Sequence, residues 1–172
     1  LLLAIGRAYG YLGEEERLLD SYLQALPLLR AVGLREREAY ALTSVGSVYD
    51  NLGEKQKALE NLYLALSLER DLGNQQGVAS LLYRLGLIHD LIGEREKAIA
   101  RFKEGLELRK AVGHPNGEGS KLWSLGNLYT GLGEYQEGID HYARALPLLQ
   151  AENHRGVANV LRNLGLTYES IG

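Results

Sequence analysis

The feature that most constrains this chain is a forty-residue period that runs its length. The string Val45-Gly46-Ser47-Val48-Tyr49-Asp50-Asn51-Leu52-Gly53-Glu54 is matched forty residues on by Leu85-Gly86-Leu87-Ile88-His89-Asp90-Leu91-Ile92-Gly93-Glu94. It is matched again by Leu125-Gly126-Asn127-Leu128-Tyr129-Thr130-Gly131-Leu132-Gly133-Glu134, and earlier by Ile5-Gly6-Arg7-Ala8-Tyr9-Gly10-Tyr11-Leu12-Gly13-Glu14. A last copy, Leu164-Gly165-Leu166-Thr167-Tyr168-Glu169-Ser170-Ile171-Gly172, follows at a spacing of 39. A unit this short cannot bury its apolar face alone. It must stack on its neighbours in a linear array.

Each period holds two helical patterns. Leu42, Val45, Tyr49 and Leu52 fall on one face at 3.6 residues per turn, as do Leu82, Leu85, His89 and Ile92, and Leu122, Leu125, Tyr129 and Leu132. Ala58, Leu59, Leu62, Ala65 and Leu66 form a second one-sided stripe. We term these helices A and B. Gly13, Gly53, Gly93 and Gly133 follow the A stripes, where a left-handed glycine ends a helix at least cost. Gly33, Gly73 and Gly113 end the B stripes, and His114-Pro115-Asn116-Gly117 reads as a turn. Glu14, Glu54, Glu94 and Glu134 open helix B, where a carboxylate meets the positive end of the dipole. Subtracting the turns leaves roughly 16 residues per helix, a rise of about 24 Å.

A mid-helix glycine costs about 1 kcal/mol relative to alanine, so its recurrence at Gly6, Gly46, Gly86, Gly126 and Gly165 needs a reason. The missing side chain lets helix B approach closely. Ala25, Ala65, Ala145 and Gly105 are the small residues expected to face it.

These residues resemble the tetratricopeptide repeat (TPR), with its apolar-Gly-x-x-Tyr core in helix A and Ala-x3-aromatic-x2-Ala in helix B. The second half reads Ala98-x3-Phe102-x2-Gly105 and Gly138-x3-Tyr142-x2-Ala145, with mild departures at Leu18 and Leu62. The period of forty is similar to the lengthened repeats of kinesin light chains, spindle-orientation adaptors and bacterial multi-repeat regulators. The Ala-Leu-Pro-Leu-Leu strings at Ala25–Leu29 and Ala145–Leu149 look most like the bacterial ones. The resemblance implies an all-α, right-handed TPR superhelix of antiparallel helix pairs, a single solenoid over 1–172. Its repeats are expected at about 1–34, 35–74, 75–114 and 115–153, with a terminal helix at 154–172.

The same resemblance implies a concave groove lined by the A helices that holds a protein or peptide partner. The carboxylate clamp of chaperone-binding members, which uses Lys and Asn at set helix A positions, would fall on Thr43 and Ser47, Tyr83 and Leu87, and Trp123 and Asn127, which together do not make the clamp. Positions that recur build the scaffold; those that differ between copies and point off the packed stripe are free to carry specificity. By the family's geometry they are Tyr40, Thr43, Ser44, Ser47, Asp50 and Asn51, then Tyr83, Arg84, Leu87 and Asp90. Trp123, Ser124, Asn127 and Thr130 follow, and then Asn159, Arg162, Asn163 and Leu166. Trp123 with Tyr83 and Arg84 is the expected anchor, since aromatics and Arg most often anchor interfaces. Asn127 and Asn163 are expected to donate to a peptide backbone. The alternative for Trp123 is packing against the neighbouring A helix.

No motif asks for catalysis, a metal or a cofactor. Ser44-Val45-Gly46 and Ser124-Leu125-Gly126 are half of a nucleophile elbow, but Leu42 and Leu122 stand where its first glycine belongs, within a helix. Gly117-x-Gly119-Ser120-Lys121 follows no strand and completes neither phosphate-binding spacing. His89, His114, His141 and His154 show no i, i+4 ligand spacing, and His89 replaces the repeat's Tyr as a core residue. Basic clusters such as Arg35/Arg37, Lys55/Lys57 and Arg95/Lys97 alternate with glutamates, as a solvated face does.

Composition agrees. Apolar residues make up 45% and charged residues 24%, the mix of a folded soluble domain, and a net charge of −3 leaves no footprint for nucleic acid or an anionic membrane. The absence of cysteine excludes disulfides and, with the lack of Asn-x-Ser/Thr, fits a cytoplasmic protein. The lack of methionine and the opening Leu-Leu-Leu-Ala read as a processed fragment or an engineered chain. Both ends fall at the same phase of the repeat: Leu2, Ile5, Tyr9 and Leu12 open it, and Leu161, Leu164, Tyr168 and Ile171 close it on an A helix without a B helix. Ends of this kind stack head to tail. A self-assembling scaffold, natural or engineered, is therefore the alternative to a peptide-binding module.

Overall fold

Every glycine-ended stripe becomes a helix. The computed structural model describes residues 1–112, 117–151 and 156–172, so His114, Pro115, Asn116 and His154 lie outside the described residues. Among the described residues the A helices are α1 (Leu2–Leu12), α3 (Arg35–Asn51), α5 (Gln75–Leu91), α7 (Glu118–Gly131) and α9 (Gly156–Ile171). The B helices are α2 (Glu15–Ala31), α4 (Lys55–Asp71), α6 (Arg95–Val112) and α8 (Tyr135–Ala151). The fold is all-α, a tetratricopeptide-type solenoid of antiparallel pairs. Contacts gather the chain into two units, Leu1–Ile88 and His89–Gly172, with the boundary inside α5. In the first unit α1 packs on α2, α2 on α3 and α3 on α4; in the second α6 packs on α7, α7 on α8, and α9 on both α7 and α8.

The A-to-B turns are closed by hydrogen bonds around a left-handed glycine. Gly53 has φ +80, its N–H donates to Asp50 O at 3.1 Å, and the Glu54 N–H donates to Tyr49 O at 2.8 Å. These two bonds satisfy carbonyls that a helix end otherwise leaves open. Gly13, Gly93 and Gly133 repeat the conformation. Glu14 and Glu54 take the N-cap positions, but their carboxylates do not cap the helix. They pair one turn on, with Arg17 at 2.8 Å and with Lys57.

The helix B stripe is buried as expected: Ala58, Leu62 and Ala65 are fully inaccessible, and Leu59 and Leu66 nearly so. The helix A stripe is buried at Leu42 and Val45 but not at its last position. Leu52, Ile92, Leu132 and Leu12 are exposed, because that residue is where the helix gives way to the turn. The A helices also bury a second row, Ala41 and Val48, Leu81 and Ile88, and Leu128. Helix A therefore carries two covered faces, as an inner member of a stack must. Pro27 and Pro147 stand inside α2 and α8 on exposed positions. The missing N–H there is lost on the solvent side, where water can satisfy the freed carbonyl.

The recurring glycine does admit helix B, but its partner is a large side chain. A Cβ at Gly46 would lie 2.8 Å from Leu62 Cγ and 3.2 Å from the Ala58 carbonyl oxygen. At Gly126 it would overlap the Tyr142 ring, and at Gly6 it would come within 3.3 Å of Tyr22. Ala25, Ala65 and Ala145 are buried elsewhere on helix B and are not the atoms met. Gly165 meets nothing within 4 Å. Gly126→Ala should therefore destabilise by about 1–3 kcal/mol, the cost of overpacking against a fixed ring. Gly165→Ala should stabilise by about 0.5–1 kcal/mol, the helix propensity gain alone. Urea unfolding followed by circular dichroism checks both, and equal effects at the two positions would refute the packing role.

Candidate functional site

In the second unit, α7 and α9 frame an open cavity of about 410 Å³ lined by Asn127, Thr130, Tyr135, Tyr142, Asn163, Leu166 and Ser170 among others. Its floor is a polar network. The Tyr142 hydroxyl, reaching across from α8, donates to Asn127 Oδ1 at 2.7 Å and stands 3.2 Å from the Thr130 hydroxyl. The amides of Asn127 and Asn163 meet at 2.6 Å. In one amide orientation Asn163 Nδ2 donates to Asn127 Oδ1. In the swapped one its oxygen instead accepts from Trp123 Nε1 at 3.1 Å and its nitrogen donates to the Asn159 carbonyl at 3.3 Å. Burial pushes the Tyr142 phenol above its usual pKa, with hydrogen bonds to Thr130 and Asn163 acting against it.

In the first unit, α3, α4 and α5 frame a smaller cavity of about 210 Å³ lined by Tyr40, Thr43, Glu69, Gly77, Ser80, Leu81 and Arg84. Tyr22 of α2 again reaches across. Its hydroxyl stands 3.5 Å from that of Tyr40, and the two rings meet edge to face with centroids 6.1 Å apart. Burial pushes the Tyr22 phenol up to about 12, and the contact with Tyr40 pushes the same way, while Ser44 and the positive charge of Arg7 pull it back.

The structure thus brings Tyr40, Thr43 and Arg84 to one cavity and Asn127 and Asn163 to another, with Trp123 half-buried against Asn163. Leu87, Asp90 and Arg162 are exposed, and Tyr83 is half-buried. Asp50 is committed to the scaffold: Lys55 Nζ sits 2.5 Å from its carboxylate and 2.7 Å from its carbonyl. Asn51 donates to Glu15 at 2.8 Å. Thr43, Ser44, Ser47 and Ser124 each donate their hydroxyl proton to the carbonyl four residues back. His89 is buried, with Nδ1 2.6 Å from Glu94, as its place in the Tyr position implies. Sequence reasoning missed Tyr22 and Tyr142. The signal was present: the position reads Tyr, Leu, Phe and Tyr in successive copies, and only tyrosine carries a polar tip through the core. Among the described residues no group of three His, Cys, Asp or Glu could hold a metal, and no helix is long and apolar enough to cross a membrane.

The family model described as tetratricopeptide repeat matches residues 38–111 and 118–172. The chain belongs to the tetratricopeptide repeat family. No curated protein matches it. Among solved structures it resembles BtubC (BKLC) from P. vanneervenii at 23% identity and a TM-score of 0.83, covering 99% of this chain and 72% of that one. It also resembles a putative kinesin light chain of Podosopora anserina with TPR-like repeats (14%, TM-score 0.76, covering 99% and 85%). A third is a Rap protein solved in complex with Competence and Sporulation Factor (17%, TM-score 0.75, covering 99% of this chain and 51% of that one). These likenesses carry the fold.

The Tyr22 environment generates a pH prediction. A phenol whose folded pKa is about 12, against about 10 unfolded, stabilises the fold fully below pH 10 and loses that contribution as pH rises to 12. Wild-type stability should fall by roughly 2–3 kcal/mol more than that of Tyr22→Phe over this range. Parallel melting curves of the two proteins between pH 9 and 12 are the check, and indistinguishable slopes would refute it.

Proposed function

We propose that this chain is a protein-interaction scaffold whose A-helix faces hold an extended segment of a partner protein. The observation that carries this reading is the network of Asn127, Asn163, Trp123 and Tyr142 around an open cavity between two A helices. Side-chain amides supply both donors and acceptors, the pairing a peptide backbone requires. Tyr40, Thr43 and Arg84 offer the matching face of the first unit, with Ser47, Tyr83, Leu87, Asp90 and Arg162 as flanking contacts. The solved Rap complex with Competence and Sporulation Factor gives a precedent on a similar fold. We assign no catalytic step and no cofactor to these residues, and read 1–172 as one solenoid.

The test is selection of random peptides of roughly ten residues, an extended reach of about 33 Å, followed by hydrogen exchange of the complex. Protection should concentrate in the A helices, and Asn127→Ala with Asn163→Ala should weaken binding by roughly tenfold or more. Protection confined to α2, α4, α6 and α8 would refute the assignment.

One observation favours a second reading. On α9, Leu161, Leu166, Tyr168 and Ile171 are more than half exposed, and Gly165 opens onto empty space where Gly126 receives Tyr142. An uncovered apolar stripe is an association surface, so copies would join through their terminal helices. Light scattering across a wide concentration range decides: growth of mass supports association, and a constant 19 kDa removes it.

A further inference from the structure

Three guanidinium groups of the first unit, Arg7, Arg37 and Arg84, form no ion pair among the described residues, and of these only Arg84 is half-buried. The unit's other arginines and lysines are largely matched: Arg17 with Glu14, Arg30 with Glu38, Arg35 with Asp71, Lys55 with Asp50 and Lys57 with Glu54. Arg84 is half-buried and lines the α3–α5 cavity beside Tyr40, where Glu69 is the acid in the wall and is engaged by Asn74 at 2.7 Å. Arg7, on α1, lies close enough to the Tyr22 phenol to act on it electrostatically, and that phenol stands 3.5 Å from the Tyr40 hydroxyl.

A half-buried guanidinium with five donors and no acid partner is a strong seat for a carboxylate, which it can take through two parallel hydrogen bonds. The Tyr40 hydroxyl, which lines the same cavity and accepts from Tyr22, keeps its own proton as a further, neutral donor. We propose that this face of the first unit selects an acidic partner segment, with an Asp or Glu side chain held by Arg84 at the Tyr40 cavity. Charge complementarity at Arg84 commits the site to this occupant, against the net charge of −3 that the chain carries as a whole. The inference rests on the peptide-scaffold reading above and adds the chemistry of the ligand.

The test selects random peptides of roughly ten residues, held at both ends by neutral linkers so that no free carboxyl terminus competes. Selection is run in parallel on the wild-type chain, on Arg84→Gln and Arg84→Lys, and on Arg144→Gln as a control of equal charge change on α8. Wild type should enrich Asp or Glu at a fixed position, and the affinity should fall with salt. The leading peptide should bind Arg84→Gln roughly tenfold more weakly, with Arg84→Lys intermediate and Arg144→Gln unchanged. Replacing the enriched acid by its amide should cost the same factor on wild type and little on Arg84→Gln. Peptides that bind without acidic enrichment, or acidic peptides indifferent to Arg84→Gln, would overturn this inference and leave the scaffold reading standing. Recovery of no binding peptide would overturn both.

Discussion

Everything in this molecule depends on one contact, the seating of a bulky helix B side chain in the notch of a helix A glycine. Leu62 on Gly46, Tyr142 on Gly126 and Tyr22 on Gly6 are the same joint made with different side chains. The joint explains why a residue that weakens helices stands in the middle of α1, α3 and α7. It also fixes how far each pair closes, and so how the next A helix is laid down. Gly138 shows the tightness from the other side, since a Cβ there would meet the Thr130 methyl and the Gly126 carbonyl at 3.2 Å.

From that joint follows the division of labour on helix A. Its stripe toward helix B and its second row toward the next pair are both buried, which leaves one narrow face for other purposes. Much of that face is already spent. Asp50 holds Lys55, Asn51 holds Glu15, and Arg95 Nη1 donates to the Gly131 carbonyl at 2.9 Å, tying α6 to α7. What is left is concentrated around Tyr40 and Arg84 in one unit and around Asn127 and Asn163 in the other. Both places are reached by a tyrosine from a B helix, Tyr22 beside Tyr40 and Tyr142 beside Asn127, so B helices contribute to their chemistry.

Fold and site differ in how legible they were. The helices, their glycine ends and the buried rows of helix B could be read because a period repeated five times averages out local exceptions. The exposed ends of the A stripes could not, because periodicity continues through Leu52 while the helix does not. The partner of each glycine was misassigned to Ala65 and its equivalents, since small-to-small contact is the simpler expectation and a notch for Leu62 needs the interhelical register. The pairing of Asp50 with Lys55 is not visible in the periodicity, because it spans a turn whose geometry lies in the left-handed Gly53 between them. Tyr40, Thr43 and Arg84 line one cavity, and Asn127 and Asn163 another, because positions about one repeat apart on successive A helices fall beside one another. Trp123 has its N–H directed to Asn163, a detail that depends on an amide orientation and not on spacing.

The hydroxyls of the A helices carry a consequence for the language this face can use. Thr43, Ser44, Ser47, Ser124, Thr167 and Ser170 all hand their proton to a carbonyl one turn back in their own helix. What such a group still presents outward is lone pairs. Serines and threonines that look interchangeable as donors and acceptors are thus biased to listen for N–H groups. The side chains best able to answer a carbonyl are the amides, the guanidiniums and the Tyr40 hydroxyl. Their scattered placement, more than the number of polar residues, sets the register in which an extended chain could lie along the helices.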